Sequence, residues 1–270
     1  MKQLDGKLAV VTGAGSGIGR ATALELAQAG CDIVVVDIDL SRAQQTADLA
    51  ETFGRVAGAL ALDVADRQGF ADMAGWVRDN FRPCSILINN AGVTSAGAFM
   101  DESDADLDWI VGINIWGVVN GCRAFLPQML AEGEGHIVNL SSMVGLLGLP
   151  HNASYSLTKG AVRSFSEALR AELVTSGVGV TAVFPGSIHT NITNSARGSE
   201  GARLAKLGSS RLAPILMRSP DSVARAIVKG IRRERARVVI GPDAHVVSGI
   251  TRVIPGRSGL VGRLTNRIIG

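Results

Sequence analysis

Short apolar runs rich in valine and isoleucine alternate along this chain with longer stretches in which apolar positions recur every three or four residues. The runs near Leu8–Val11, Ile33–Val36, Val56–Leu60, Ile86–Ile88, His136–Leu140, Val180–Phe184 and Val238–Ile240 predict strands. Because they are continuous and not alternating, they predict strands covered on both faces. The stretches near Ile18–Ala29, Arg42–Phe53, Arg67–Asn80, Ala105–Ala131, Ala153–Thr175 and Asp221–Arg232 predict helices. Strands separated by helices join as a parallel sheet through crossover connections. The pattern therefore predicts an α/β fold, a single doubly wound domain with a seven-stranded parallel sheet and helices on both faces. That domain takes in 1–245 of the 270 residues, and 246–270 is left as an extension. The Gly/Ser/Arg-rich stretch 194–211 predicts an irregular insertion near 190–215, of a length that often covers a site as a lid.

Chemistry enters at the first strand–helix junction, Thr12-Gly13-Ala14-Gly15-Ser16-Gly17-Ile18-Gly19-Arg20. Glycines there let the backbone turn tightly and let a pyrophosphate approach the helix N-terminus, whose free N–H groups and dipole favour anions. The second strand ends in Asp37, about 20 residues on. A carboxylate at that point accepts hydrogen bonds from both adenosine ribose hydroxyls and repels a 2′-phosphate, which predicts NAD in preference to NADP. The plainer reading of Asp37 is a solvated strand end or a helix cap. Ser16 is neutral where a basic residue would pair with a 2′-phosphate, while Arg20 and Arg42 leave room for NADP.

Further markers follow in order: Asn89-Asn90-Ala91-Gly92 after the fourth strand, Asn114, and Ser142 thirteen residues before Tyr155. Then come Tyr155-Ser156-Leu157-Thr158-Lys159 and Pro185-Gly186 after the sixth strand. On these residues the chain resembles the short-chain dehydrogenase/reductase family across residues 7–190. The resemblance implies a Rossmann-type fold, a nicotinamide cofactor, and oxidoreduction between an alcohol and a carbonyl. Tyr155 and Lys159 stand four apart, on one face of a helix. A free phenol titrates near ~10, and a neighbouring ammonium with the charge of an oxidised nicotinamide would lower it toward neutrality.

The resemblance also implies roles. Tyr155 is the acid/base, Lys159 lowers its pKa and holds the nicotinamide ribose, and Ser142 donates to the substrate oxygen, with its neighbour Ser141 as the alternative. Asn114 would keep a proton-relaying water, or else make a structural bond between helices. Gly13, Ser16, Gly17, Ile18, Gly19 and Asp37 would hold the nucleotide. Asp63 and Val64 match the adenine-binding pair, unless Asp63 caps a helix. Asn90, Ala91 and Gly92 would line the ribose, and Pro185, Gly186, Ile188 and Thr190 the nicotinamide. Substrate-facing candidates are Thr94, Ser95, Met143 to Leu149 and His189, predominantly apolar, which predicts a hydrophobic alcohol or ketone. His151 and His189 lie near the site, but a second acid/base is unnecessary.

Composition changes this picture in three places. Tyr155 is the sole tyrosine, so chemistry needing a phenol has one candidate. The net charge of +3 suggests nucleic acid until it is located. Residues 218–270 carry 11 Lys/Arg against three acidic residues, so the preceding body is net acidic. Nucleic acid is therefore not expected as a partner. Arg252, Arg257, Arg263 and Arg267 among apolar residues suit either a solvated or subunit-packing extension or contact with an anionic membrane surface. Cys31, Cys84 and Cys122 are far apart, with no metal-binding or disulfide spacing. With no signal-peptide pattern and no 18-residue apolar run, a cytoplasmic protein is expected, bound to no metal. The resemblance implies a homodimer or homotetramer, with 105–131 and 153–175 as the dimer surface. The tail lacks the family's Val-Asp-Gly-Gly ending, which argues against a ketoacyl-carrier-protein reductase. The competing reading is a non-catalytic nucleotide sensor on the same fold, but a sensor needs no proton-transfer residues.

Overall fold

The computed structural model describes residues 1–188, 196–201 and 218–253. Seven strands, β1 (Leu8–Thr12), β2 (Asp32–Asp37), β3 (Ala57–Ala61), β4 (Cys84–Asn89), β5 (Gly135–Leu140), β6 (Val178–Pro185) and β7 (Arg237–Ile240), form one parallel sheet in the order β3-β2-β1-β4-β5-β6-β7. The chain runs outward through β2 and β3, then returns to lay β4 against the other side of β1. That reversal opens a crevice beyond the carboxyl ends of β1 and β4, where ligands bind in open sheets of this kind.

Both faces of the sheet are covered. Ala9, Val11, Ile33 and Val35 pack with the helices α1 (Gly17–Gln28), α2 (Leu40–Glu51) and α7 (Pro220–Arg232). The alternate residues Leu8, Val10, Val34 and Val36 pack with α3 (Arg67–Asn80), α5 (Gly117–Glu132) and α6 (Ala153–Glu172). β1 is buried at all five positions, as expected for a strand covered on both sides. The strand and helix order agrees with the hydrophobic pattern to within a few residues. Val56, read as the start of β3, lies outside that strand and is exposed.

Two differences matter for the site. The helix expected as one piece over 105–131 is α4 (Asp104–Val111), a π-helical turn (Gly112–Trp116) and α5 in succession. Apolar periodicity does not resolve one extra residue in a turn. By length and composition the stretch Asp104–Glu132 would be able to cross a membrane. Here its Val118, Cys122, Phe125 and Met129 are buried in the core. The second difference is α8 (Pro242–Val253), a helix that no periodicity suggested. It runs across residue 246, where the sequence begins the extension. Arg257, Arg263 and Arg267 lie outside the described residues, as does the Arg252 side chain.

Candidate active site

The crevice is a cleft of about 650 Å³. Sixteen of the sequence-predicted residues line it. The nucleotide end has Gly13, Ser16, Gly17, Ile18, Asp37, Asp63 and Val64. Asn90, Ala91 and Gly92 lie at the middle. Ser142, Tyr155, Lys159, Pro185, Gly186 and Ile188 form the other end. Gly19 and Asn114 stand behind the lining. Thr190 and His189 lie outside the described residues, and so does most of the stretch 190–215. Thr94 and Ser95 are buried, and neither they nor Met143–Leu149 line the cleft.

The glycine turn is held from two sides. Gly13 takes φ +61°, and a Cβ on Gly19 would run into the Gly13 carbonyl and stand 2.5 Å from the Asn90 amide nitrogen. Asn90 donates from Nδ2 to the carbonyls of Thr12 (2.9 Å) and Gly13 (3.1 Å). The Thr12 hydroxyl in turn accepts the N–H groups of Asn90 and Ala91. These bonds tie the ends of β1 and β4 together, so the Asn90 amide donors serve the turn. α2, α3, α4 and α7 have side-chain caps from Asp39, Asp66, Ser103 and Ser219. Ser16 makes no such bond to α1, whose first amides are left to face the cleft.

Asp37 is neither a solvated strand end nor a helix cap. Its Oδ2 accepts the Gly15 N–H at 2.8 Å and its Oδ1 the Asp39 N–H at 3.1 Å. It thus braces the glycine turn while lining the cleft, and each oxygen retains a lone pair for a further donor. Asp63 accepts the Ala65 N–H, and Asp66 caps α3. Arg20 is turned away onto Thr46 and the Gly15 carbonyl. Arg42 lines the cleft, with its guanidinium 3.2 Å from Asp39.

At the other end the two serines divide cleanly. The Ser141 hydroxyl donates to the Lys159 carbonyl at 2.7 Å, inside the protein. Ser142 lies beside the Tyr155 phenol in the cleft lining. Burial pushes that phenol up to about 12, and among the chain's own groups it is Ser142 that pulls it back. The Lys159 ammonium stands 5.8 Å from the ring centroid and donates to the Leu140 carbonyl at 2.9 Å. Only 3% exposed, it is lowered to about 8 by burial.

Asn114 is fully buried, and its side chain is committed to the protein. Oδ1 accepts the Val93 N–H, and Nδ2 donates to the Val93 carbonyl and to the Thr158 hydroxyl, each at 2.9–3.1 Å. Thr158 also donates to the Tyr155 carbonyl, which links the π turn to the start of α6. The side chain thus makes a structural bond to α6 through Thr158.

Sequence reasoning missed Asp243. It accepts the N–H groups of Ser187 (2.7 Å) and Ala244 (2.9 Å), and a Cβ on Gly186 would collide with it. Burial opposes its charge, but those N–H groups outweigh it and hold the carboxyl below the ordinary range. Asp243 buttresses the Pro185–Ser187 turn from α8. Its only signal was an acid in the first turn after Gly241-Pro242. Also missed were Val93, Trp109 and Ile113, which line the cleft. Among the described residues no cluster of His, Cys, Asp or Glu suits a metal ion.

The described residues fit a dinucleotide. There is a glycine cradle that a Cβ would fill, helix amides without a side-chain cap, a carboxylate one strand over, and a buried amine at the far end. The model of the short chain dehydrogenase family matches residues 7–201. A Mycobacterium tuberculosis protein named "Putative oxidoreductase SadH" is 39% identical over 259 residues, covering 94% of this chain and 93% of its own. A short-chain dehydrogenase/reductase from Burkholderia phymatum, solved in complex with NAD, superposes with a TM-score of 0.85 at 29% identity, covering 94% of this chain and 95% of the other. A metagenomic short-chain oxidoreductase in complex with NADP superposes at 0.73 and 26% identity, covering 88% of this chain and 98% of the other.

Proposed function

Since this chain belongs to the short-chain dehydrogenase/reductase family, we propose that it interconverts a secondary alcohol and its ketone with NAD(H), on a hydrophobic small molecule. The observation that carries this reading is the convergence of the Ser142 hydroxyl, the Tyr155 phenol and the buried Lys159 amine on one end of a cleft whose other end is a glycine turn.

Tyr155 takes the alcohol proton in oxidation and returns one to the carbonyl oxygen in reduction. Its phenol stands at about 12, so ionisation near neutrality needs positive charge close by, which the Lys159 ammonium supplies together with the oxidised cofactor. Ser142 donates to the substrate oxygen as charge develops there. The chemistry a bound nicotinamide supplies is hydride transfer.

The α1 amides at Ser16–Ile18 hold the pyrophosphate, Asp37 the adenosine ribose, and Asp63 with Val64 the adenine. Lys159 holds the nicotinamide ribose, and Pro185, Gly186 and Ile188 its ring, with Thr190 expected on the carboxamide. Asp37 is the support for NAD over NADP, because its carboxylate repels a 2′-phosphate. Arg42 lines the same end but sits against Asp39. Trp116, Leu130 and Leu157, exposed along the π turn, α5 and α6, support a homo-oligomer. Three buried free cysteines are compatible with a reducing cytosol.

The test is absorbance of NADH and NADPH with a panel of secondary alcohols, diketones, sterols and acyl substrates, and Tyr155→Phe as control. Turnover with a secondary alcohol or ketone, lost in the variant, is expected. Turnover that survives the substitution sinks the assignment.

A further inference from the structure

Residues 196–201 are laid backbone to backbone on the loop after β4. Arg197 donates its N–H to the Thr94 carbonyl and accepts from the Ala96 N–H, while the Glu200 N–H donates back to Ala96. Gly198 makes this possible: it takes φ +92°, and any Cβ there would run into the Ala96 carbonyl. The neighbouring Gly97 donates to the carbonyl of His151, which holds a left-handed φ of 59° four residues before Tyr155. The His151 Nδ1 stands 3.2 Å from a Glu200 carboxylate oxygen. Every one of these anchors is on the Tyr155 side of the cleft. Asp37 and Asp63, at the nucleotide end, lie beyond β1.

From this segment the Arg197 side chain crosses to α4. Its guanidinium lies 4.0 Å from the Trp109 ring centroid and 3.2 Å from the Asp106 carboxylate, one turn earlier on the same helix. Trp109 also lines the cleft. A planar guanidinium stacked on an indole restrains that ring, and an ammonium does so less well because it lacks the flat face.

We propose that Arg197 is a positioning residue for substrate selection: anchored by Asp106, it fixes the Trp109 ring as an aromatic wall against which the non-reacting part of the substrate packs. The class so favoured is ketones and secondary alcohols carrying a flat apolar group. This rests on the dehydrogenase reading above.

The test uses the full chain in a Trp76→Phe/Trp116→Phe background, where Trp109 is the remaining tryptophan. Acrylamide quenching of its fluorescence should rise in Arg197→Ala, and rise less in Arg197→Lys and Asp106→Asn. KM for acetophenone should rise about fivefold in Arg197→Ala. KM for acetone, kcat and the NADH dissociation constant should stay within about twofold. Unchanged quenching, an equal KM change for both ketones, or a matching loss of NADH affinity would each overturn the proposal. If the parent enzyme reduces neither ketone nor any of the wider panel, the dehydrogenase reading fails, and the quenching comparison still decides whether Arg197 holds Trp109.

Discussion

The two ends of the cleft are built differently. The nucleotide end comes mostly from one continuous stretch, β1 to the end of β3. Most contacts there run from backbone to nearby short side chains, as in Gly15 to Asp37 and Ala65 to Asp63, with the Asn90 side chain reaching in from the end of β4 to the Thr12 and Gly13 carbonyls. The Tyr155 end gathers segments from across the chain: Val93, Trp109, Ser142, the Tyr155/Lys159 helix, Pro185–Ile188 and 196–201. It is held by side chains acting over long sequence distances, among them Asn114 on Val93, Asp243 on Ser187 and Arg197 on Trp109. A site with these two halves can keep one ligand constant while the other changes, because substitutions at the second end leave the first end's bonds intact.

The sharpest challenge to that division is Tyr155→Phe. Removing one hydroxyl should cut kcat by about 10³-fold while the NADH dissociation constant stays within about twofold. A comparable loss of NADH affinity would mean that the two ends are one unit. The reverse case is Gly19→Ala, whose methyl has no room beneath Gly13. NADH affinity should fall by about 100-fold, with about 2 kcal/mol of stability lost to overpacking. Isothermal titration and thermal melts read both, and unchanged affinity would show that the turn tolerates a shift.

A smaller effect is expected from Asp37→Asn, which keeps the shape but removes the charge. The preference for NAD over NADP in kcat/KM should fall about tenfold. An unaltered preference would move cofactor selection away from Asp37.

The smallest effect is on stability. Lys159 titrates at about 8 in the fold against an ordinary 10.5, so the unfolded chain binds more protons between those values and stability rises with pH through that window. The penalty is complete below pH 8. Lys159→Met should therefore melt about 3 °C above the parent at pH 7. That advantage should shrink as pH climbs from 8 toward 10.5. A pH-independent difference would show that the fold leaves the Lys159 pKa where the unfolded chain has it.

The same contrast explains what was legible in the sequence. Val-rich runs and glycine spacing report local geometry, so the seven strands, the turn at Gly13–Gly19 and the Tyr155/Lys159 pair could be read directly. The hydroxyl of Ser141 points to a carbonyl 18 residues away and Asp243 reaches back 56 residues. No local spacing encodes either contact. Arg197 sits in a stretch that composition marks only as irregular, and its partner Trp109 reads as one more apolar position on a helix. The helix over 242–253 was hidden by the Gly241-Pro242 pair, which looks like a terminator and is in fact a start, since proline suits the first turn.

The π-helical turn at Gly112–Trp116 acts as a phase shifter. Carrying one residue more than the α-turn it replaces, it rotates everything upstream by about 100° relative to everything downstream. Downstream, Gly117 and Gly121 must press against Val64 and Asn89, and upstream, Trp109 must reach the cleft. Deleting Ile115 would leave a regular helix of nearly the same length and composition, aimed wrongly at one end. The substrate wall and the sheet contact are thus in register only because the helix is out of register with itself.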